Sequence, residues 1–142
     1  MDFSTWFDRC VGDWRSYRRY LNGNERAISN SLTDFSIRRI EDNVYTLNWA
    51  DGNDEGQQRL ILDGSNLSLD RNHFDIERGL QANMTRVDDD TVKFDSSFGG
   101  LVHYEEVRIL GEHDQFRIRT VLAFQQDTNR VMIAGQYFEY RA

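Results

Sequence analysis

Residues 104–121 read Tyr-Glu-Glu-Val-Arg-Ile-Leu-Gly-Glu-His-Asp-Gln-Phe-Arg-Ile-Arg-Thr-Val, and this stretch indicates the fold class. Two runs alternate between apolar and charged side chains with a period of two, and Gly-Glu-His-Asp separates them, which predicts a β-hairpin. In an extended chain residues i and i+2 share a face. We therefore expect Glu106 and Arg108 on one face of the first arm, and Arg117 and Arg119 on one face of the second.

The opposite face of this hairpin is predicted to be apolar and to pack on a core. Its side chains are Val107, Ile109, Phe116, Ile118 and Thr120. Charges that alternate along a strand are usually the solvated side of a sheet. The alternative is that the charged face lines a cavity, where guanidinium groups beside a carboxylate would bind an anionic molecule that also offers hydrogen-bond donors. The pattern alone leaves both interpretations open.

Length and composition restrict the class of protein. The 142 residues suffice for a buried core, and we expect one domain over residues 1–142. A net charge of −7, from 24 acidic and 17 basic side chains, argues against nucleic-acid binding. The single cysteine excludes an internal disulfide and fits a reducing compartment. No apolar run approaches the roughly 18 residues that span a bilayer, and no signal segment is recognisable, so a cytoplasmic location without membrane insertion is expected.

The chain begins with a helical pattern and continues as strand patterns. Apolar side chains on one face predict a helix over residues 2–10, with Asp2 or Ser4 as its cap. Strands are predicted at 14–21, 26–39, 43–49, 56–62, 65–70, 80–87, 91–97, 101–110, 115–124 and 130–140. The longer connection over 71–79 is predicted to be a helical turn or a flap.

The turns between these strands indicate how the strands are arranged. Most are tight, which favours sequential antiparallel neighbours. Proline is absent, so nothing in the composition protects a sheet edge, and a closed barrel is the simplest arrangement without edges. We predict an all-β fold, a ten-stranded antiparallel up-and-down barrel of lipocalin-like type. Its short N-terminal helix would close one end and its mouth would hold a small ligand.

Several kinds of site are not expected. His73, His103 and His113 lie in separate segments without a second ligand at metal-binding spacing, so we expect no metal. The three aspartates at 88–90 lack the glycine and the distal glutamate of a calcium loop, and are predicted to form a turn. Cys10 lies on the apolar face of the predicted helix, where a free cysteine is usually a small buried hydrophobe.

Four segments, in chain order, resemble a known family. They are Phe-Asp-Arg-Cys-Val-Gly-Asp-Trp-Arg-Ser-Tyr-Arg at 7–18, Leu-Asn-Trp-Ala-Asp-Gly at 47–52, Glu-Glu-Val-Arg and Phe-Arg-Ile-Arg-Thr between 105 and 120, and Tyr-Phe-Glu-Tyr-Arg at 137–141. In these segments the chain resembles the S-type phycobiliprotein lyases of cyanobacteria, algae and cyanophages, which attach bilin chromophores to cysteines of phycobiliproteins. The fold of that family, a ten-stranded lipocalin-like barrel with an N-terminal helix, agrees with the fold predicted above.

The resemblance implies a role for individual residues. Side chains that bind the bilin correspond to Arg18, Trp49, Arg117 and Arg119. The carboxylate of the last strand, with a catalytic role, corresponds to Glu139. A second catalytic carboxylate falls on Glu106, with Glu105 as its rival, because a shift of one residue moves the side chain to the other face. The chain differs from the family pattern in a shorter middle, in lacking a second tryptophan, and in Val121, where a serine is common.

The resemblance also implies an activity. The substrate would be a linear tetrapyrrole, phycoerythrobilin, with no separate cofactor, and the acceptor a cysteine of a phycobiliprotein alpha or beta subunit. Two propionates suit guanidinium groups, and a carboxylate against the pyrrole nitrogens would hold the charge of a protonated bilin. The alternatives are a bilin carrier without transfer and a barrel that binds another apolar anion, such as a fatty acid. A homodimer through the outer face of the barrel is left open.

Overall fold

Ten strands close into one barrel in the computed structural model, which describes residues 2–24, 26–51, 54–71 and 80–142. Helix α1 (Phe3–Arg9) precedes β1 (Gly12–Asn22), β2 (Ala27–Glu41), β3 (Val44–Asp51), β4 (Asp54–Asp63), β5 (Asn66–Arg71), β6 (Leu80–Arg86), β7 (Thr91–Phe98), β8 (Leu101–Leu110), β9 (Phe116–Gln125) and β10 (Val131–Arg141). Neighbouring strands pair antiparallel, and β1 pairs with both β2 and β10. The predicted up-and-down barrel and the predicted helix are confirmed.

Helix α1 packs over one end of the barrel. It begins after Asp2, whose carboxylate accepts a hydrogen bond from the backbone N–H of Thr5 at 3.0 Å. Its apolar face buries Trp6 and Phe7, and Trp6 Nε1 donates to the carbonyl oxygen of Asp90, in the β6–β7 turn, at 2.9 Å. Burial of a large apolar side chain contributes about 1.5–3 kcal/mol, so these two rings secure the helix.

Two arginines tie this helix to the same end of the barrel. Arg9 Nη2 lies 2.9 Å from Asp114 Oδ1 in the β8–β9 turn and 2.8 Å from Asp90 Oδ1. Arg141, at the end of β10, donates to the carbonyl oxygens of Arg9 at 2.7 Å and Asp114 at 3.1 Å. Its guanidinium carbon lies 4.3 Å from the centre of the Trp14 ring. The helix therefore covers the end with the β6–β7 and β8–β9 turns, and leaves the end with the β7–β8 and β9–β10 turns uncovered.

The β8–β9 hairpin forms as predicted, but its two faces differ from the prediction. Val107 pairs with Arg119 and Ile109 with Arg117, so the apolar side chains of β8 share the inner face with the arginines of β9. Phe116, predicted to pack on the core, is exposed on the outer face. The predicted division into one charged and one apolar face is wrong. Period-two alternation fixes the two faces of each strand separately, but the turn sets which faces of two strands coincide.

Other expectations concern single residues. Cys10 is completely buried, as expected, and burial raises the pKa of its thiol. The aspartates at 88–90 form the β6–β7 turn, in which the N–H of Asp90 donates to Asp88 Oδ1 at 2.9 Å. In the part of the chain that the structure describes, no helix is long and apolar enough to cross a membrane. The connection predicted as a helical turn or flap falls largely on residues 72–79, outside the described ranges.

Candidate ligand-binding site

An interior cavity of about 440 Å³ lies between helix α1 and the inner face of the barrel. Apolar side chains from the helix and from β2 to β8 form most of its wall, among them Trp6, Phe7, Phe35, Leu60 and Phe94. Its polar lining comprises Gln58, Ser96, His103, Glu105, Arg117 and Arg119. The volume falls in the range of about 300–1,000 Å³ that is typical of small-molecule sites. Such a lining suits a flat apolar ligand that carries a few charged groups.

Strand pairing places the charged side chains in two rows on one inner wall. In the first row Arg18 on β1 pairs with Tyr137 on β10, which pairs with Arg119 on β9. In the second row, nearer to the helix, Glu139 on β10 pairs with Arg117 on β9. Because side chains alternate along a strand, all five point to the same side of the sheet. The sequence-predicted residues of β1, β9 and β10 therefore meet in one cluster.

Glu139 joins the two arginines of β9. Its side chain is only 1% exposed. Its Oε2 accepts a hydrogen bond from Arg119 Nη1 at 3.2 Å, and its Oε1 lies 3.1 Å from Arg117 Nε, without the geometry of a hydrogen bond. The Arg117 guanidinium also lies over two rings, 5.4 Å from the centre of Trp14 and 5.7 Å from that of Phe35. A buried carboxylate enclosed in this way holds both guanidinium groups in place.

Arg119 also binds Glu105, through a hydrogen bond of 2.5 Å from Nε to Oε1. The two side chains are 19% and 16% exposed, so this ion pair is the part of the cluster that a ligand reaches more easily than Glu139. Burial acts to raise the pKa of Glu105, but the charge and hydrogen bond of Arg119 outweigh it and hold the pKa below its ordinary value. Glu105 is therefore a carboxylate at neutral pH.

Glu105, and not Glu106, faces the cavity. Glu106 is exposed on the outer face of β8. The predicted place of Glu106 in the pocket is thus wrong, and its rival Glu105 is the inner carboxylate; a catalytic role stays a prediction. Val107 and Ile109 are buried and fix the odd-numbered positions of β8 as the inner ones, so a side chain at 106 points away from the cavity.

Arg18 is a half-buried cation without an ion pair among the described residues. Its Nε donates to Ser16 Oγ at 3.2 Å, and its guanidinium carbon lies 4.8 Å from the centre of the Tyr137 ring. Burial, followed by the charge of Arg119, lowers the pKa of this guanidinium. The cluster carries three guanidinium groups, at Arg18, Arg117 and Arg119, against the two carboxylates of Glu105 and Glu139. Of these, Glu105, Arg117 and Arg119 line the cavity itself. An excess of positive charge remains for an anionic group.

Trp49, like Glu106, is a sequence-predicted residue that the structure places outside this cluster. It lies on β3, in register with Phe35, and packs against the same core. Its ring lies against Gly56, where a Cβ atom would come within 2.0 Å of it. Trp49 is not among the side chains that line the 440 Å³ cavity. It borders a groove of about 650 Å³ on the adjoining wall, with Asp34 and Asn48.

Sequence reasoning missed several polar members of the site, among them Tyr137 and His103. Tyr137 lies between Arg18 and Arg119, with its ring centre 5.1 Å from the guanidinium carbon of Arg119, and burial raises the pKa of its hydroxyl. His103 lines the cavity two residues before Glu105. The alternation of side chains along a strand could have identified both. Tyr137 lies two positions from Glu139, and His103 lies two positions from Glu105, so each pair shares a face.

Solved structures with the same barrel have low sequence identity to this chain. The S-type phycobiliprotein lyase CpeS from Guillardia theta matches with a TM-score of 0.74 and 19% identity, over 100% of this chain and 93% of its own. This chain has the fold of that lyase. The resemblance expected from the sequence thus agrees with a structural match to CpeS, and the lipocalin-like barrel is confirmed.

Two further structures share the fold. A DUF3598-family protein of unknown function from Nostoc punctiforme PCC 73102 matches with a TM-score of 0.68 and 14% identity over 95% of this chain, which spans 48% of that protein. The fluorescent protein UnaG matches with a TM-score of 0.59 and 14% identity, over 96% of this chain and 99% of its own. No family model matches the sequence, and no curated protein matches it. At these identities the similarity to CpeS and UnaG concerns the fold.

Proposed function

We propose that this protein binds a linear tetrapyrrole, phycoerythrobilin, in the interior cavity and attaches it through a thioether to a cysteine of a phycobiliprotein subunit. The observation that carries the proposal is the wall of three guanidinium groups and two carboxylates beside an aromatic cavity. The fold shared with the lyase CpeS supports it. A bilin is flat and apolar along its rings and carries two propionates, so it matches both parts of this lining.

The arginines would bind the propionates. Arg18 has a hydrogen bond to Ser16 and a ring contact with Tyr137, and no carboxylate of the described residues lies at hydrogen-bond distance from it. Arg119 is partly exposed on the other side of the same ring. Guanidinium groups bind carboxylates through two parallel hydrogen bonds, which fixes the orientation of the ligand as well as its position.

Glu105 would act on the reacting part of the bilin. A carboxylate near the pyrrole nitrogens stabilises the positive charge of a protonated bilin, which makes the exocyclic double bond of ring A more electrophilic. The sulfur of the acceptor cysteine then bonds to the exocyclic carbon, and its proton ends on the neighbouring ring carbon. Glu139, enclosed by Arg117 and Arg119, would orient the arginines. A direct catalytic role of Glu139 stays a prediction.

Replacement of Arg18 tests the binding step. Arg18→Ala should weaken bilin affinity about tenfold to hundredfold, the loss expected for a charge-assisted hydrogen bond of roughly 1.5–3 kcal/mol. Its thermal unfolding should stay close to wild type, because no buried carboxylate loses its ion pair. Arg59→Ala, on the outer face of β4, is the matched control and should bind bilin normally. Absorbance titration measures both, and an unchanged affinity of Arg18→Ala would remove the assigned site.

Co-expression tests the transfer step. The protein, the enzymes of bilin biosynthesis and a phycoerythrin subunit should together give a subunit that fluoresces with zinc after denaturation, which marks a covalent bilin. A subunit that gains no colour above the level without this protein contradicts the lyase activity. Tight bilin binding in that case would identify a carrier. Displacement of the bilin by a fatty acid at lower concentration would instead identify a barrel for another apolar anion.

A further inference from the structure

His103 is a partly buried imidazole on the inner face of β8, where it lines the cavity. It lies two positions from Glu105, on the side of the β7–β8 turn, so the two side chains share a face and their Cα atoms lie about 7 Å apart along the strand. Helix α1 covers the other end of the barrel, with the β6–β7 and β8–β9 turns. His103 therefore lies between Glu105 and the end that the helix leaves uncovered.

The neighbours of His103 on the adjacent strands do not engage its ring. Ser96 on β7 and Ala123 on β9 pair with it, and both side chains are small. The charged side chains of β7 nearest to it, Lys93 and Asp95, point to the outer face. Within the described part of the chain the imidazole makes no hydrogen bond and no ion pair. Both ring nitrogens are therefore available for proton exchange with a ligand.

The attachment of a bilin requires a group that removes the proton of the acceptor thiol. A cysteine attacks as the thiolate, and an ordinary thiol, with a pKa of about 8.5, is largely protonated at neutral pH. Because helix α1 covers one end of the barrel, the acceptor cysteine approaches from the other. It passes His103 before it reaches a bilin held by Glu105 and Arg119. A base at the position of His103 would generate the thiolate beside the bilin.

The other ionisable groups around His103 are poorly suited to this step. Burial of Glu105 is outweighed by its ion pair with Arg119, which holds the pKa of this carboxyl below its ordinary value and makes it a weak base. Glu139 is only 1% exposed and lies between Arg117 and Arg119. Guanidinium groups stay protonated at neutral pH and accept no proton. Around His103, the carboxylate of Glu105 stabilises the imidazolium form and the two guanidinium groups stabilise the neutral form.

We propose, on the basis of the lyase function above, that His103 carries the proton of the acceptor thiol to the bilin. The neutral imidazole accepts the proton of the S–H bond, and the sulfur bonds to the exocyclic carbon of ring A with the electron pair that this proton leaves behind. The electrons of the exocyclic double bond then form a C–H bond at the neighbouring ring carbon with the same proton, which the imidazolium returns. The net reaction adds S–H across one double bond, requires no oxidant or reductant, and restores the neutral histidine.

Two matched histidine substitutions test this step in the full chain. His103→Asn should slow the single-turnover attachment of phycoerythrobilin to a phycoerythrin subunit about 100-fold, at the lower end of what general acid–base catalysis contributes. The affinity for the bilin and the red-shifted absorbance of the bound bilin should stay those of wild type, because Arg18, Arg119 and Glu105 are unchanged. His113→Asn, at an exposed position of the β8–β9 turn, is the control and should transfer at the wild-type rate. Asparagine tolerates the positive φ of 57° at this position.

Two further measurements separate proton transfer from a structural role. The wild-type rate should rise with pH and level off once the imidazole range of about pH 5–8 is passed, because only the neutral ring accepts a proton. The rate of His103→Asn should continue to rise up to the thiol range near about pH 8.5, because only thiolate formed in solution then reacts. Added imidazole should restore transfer in His103→Ala, where the missing ring leaves space, and should leave wild type and His113→Asn unchanged.

The outcomes distinguish this role of His103 from the lyase activity itself. A subunit that gains no bilin from wild type above its own background would overturn both. Transfer by wild type with an unchanged rate in His103→Asn would overturn the role of His103 alone. A slow His103→Asn whose pH profile parallels that of wild type, together with a His103→Ala that imidazole does not restore, would overturn proton transfer and make His103 a positioning residue. Loss of bilin affinity in both variants would make it a binding residue and would overturn the proposal as well.

Discussion

At the scale of single residues, two neighbouring carboxylates on β8 lie on opposite faces of the barrel wall. Glu105 binds Arg119 at the cavity, whereas Glu106 is exposed on the outer face. Both residues are glutamates at consecutive positions of the same strand. Their difference in environment therefore makes them a matched pair for separating a site residue from a surface charge.

Substitution of each by glutamine tests the role of Glu105. Glu105→Gln keeps the shape but removes the charge that would stabilise a protonated bilin, so the rate of transfer should fall roughly 100-fold and the bound bilin should lose its red-shifted absorbance. Glu106→Gln should keep the wild-type rate and spectrum. Single-turnover transfer assays give the rates, and equal effects of both substitutions would contradict the assignment of the inner face.

Glu139 is the residue on which the stability of the cluster depends. Glu139→Gln leaves the buried guanidinium of Arg117 without its carboxylate, and loss of one partner of a buried ion pair costs about 3–5 kcal/mol. Asp42→Asn removes the Arg39–Asp42 surface ion pair and should cost less than about 1 kcal/mol. Urea unfolding measures both. A Glu139→Gln variant as stable as Asp42→Asn would show that the cluster contributes little to folding.

At the scale of elements, periodicity predicted the strands better than it predicted their faces. Alternation and turn residues located all ten strands to within a few residues, because both are local properties of the chain. The inner position of Glu105 depends on the pairing of β8 with β9 across a five-residue turn, which is not local. Trp49 was assigned to the pocket by resemblance alone, and its place over Gly56 depends on the pairing of β3 with β4.

The attachment of helix α1 should depend on pH through Asp114. The hydrogen bond from Arg9 lowers the pKa of this carboxyl in the folded protein. A lowered pKa means that the stabilisation is complete above the unfolded value, about 3.9, and is lost as the pH falls through the folded value. Asp114→Asn should therefore cost about 1 kcal/mol at neutral pH, and this difference from wild type should shrink under acid conditions.

Urea unfolding of wild type and Asp114→Asn across a pH series measures that difference. Glu112→Gln, at an exposed position of the same turn, is the control and should follow the wild-type curve. A difference that persists unchanged below the folded pKa would mean that Asp114 does not stabilise the helix through its charge.

At the scale of the whole molecule, barrel closure creates two surfaces of opposite character on the same strands. Strands β1, β10 and β9 carry arginines and a glutamate on the inside, and exposed apolar side chains on the outside. A lone β-sheet would bury the apolar side and hydrate the charges. Here the charges are buried because the closed barrel encloses them, which explains why each inner arginine has a carboxylate, a hydroxyl or an aromatic ring beside it.

Closure of the barrel depends on the approach of its first and last strands at Gly135. A Cβ atom at this position would lie 2.5 Å from the backbone oxygen of Arg19 and 2.7 Å from Tyr20 Cα, both on β1. Gly135→Ala must therefore force β1 and β10 apart, with a cost of about 1–3 kcal/mol and a weaker hold on Arg18. Ala134→Ser, at the preceding position on the outer face of the same strand, should change stability by less than about 0.5 kcal/mol. Amide hydrogen exchange should show faster opening of the β1–β10 pairing in Gly135→Ala but not in Ala134→Ser. Equal protection in both variants would mean that the barrel accommodates the methyl group without separating the two strands.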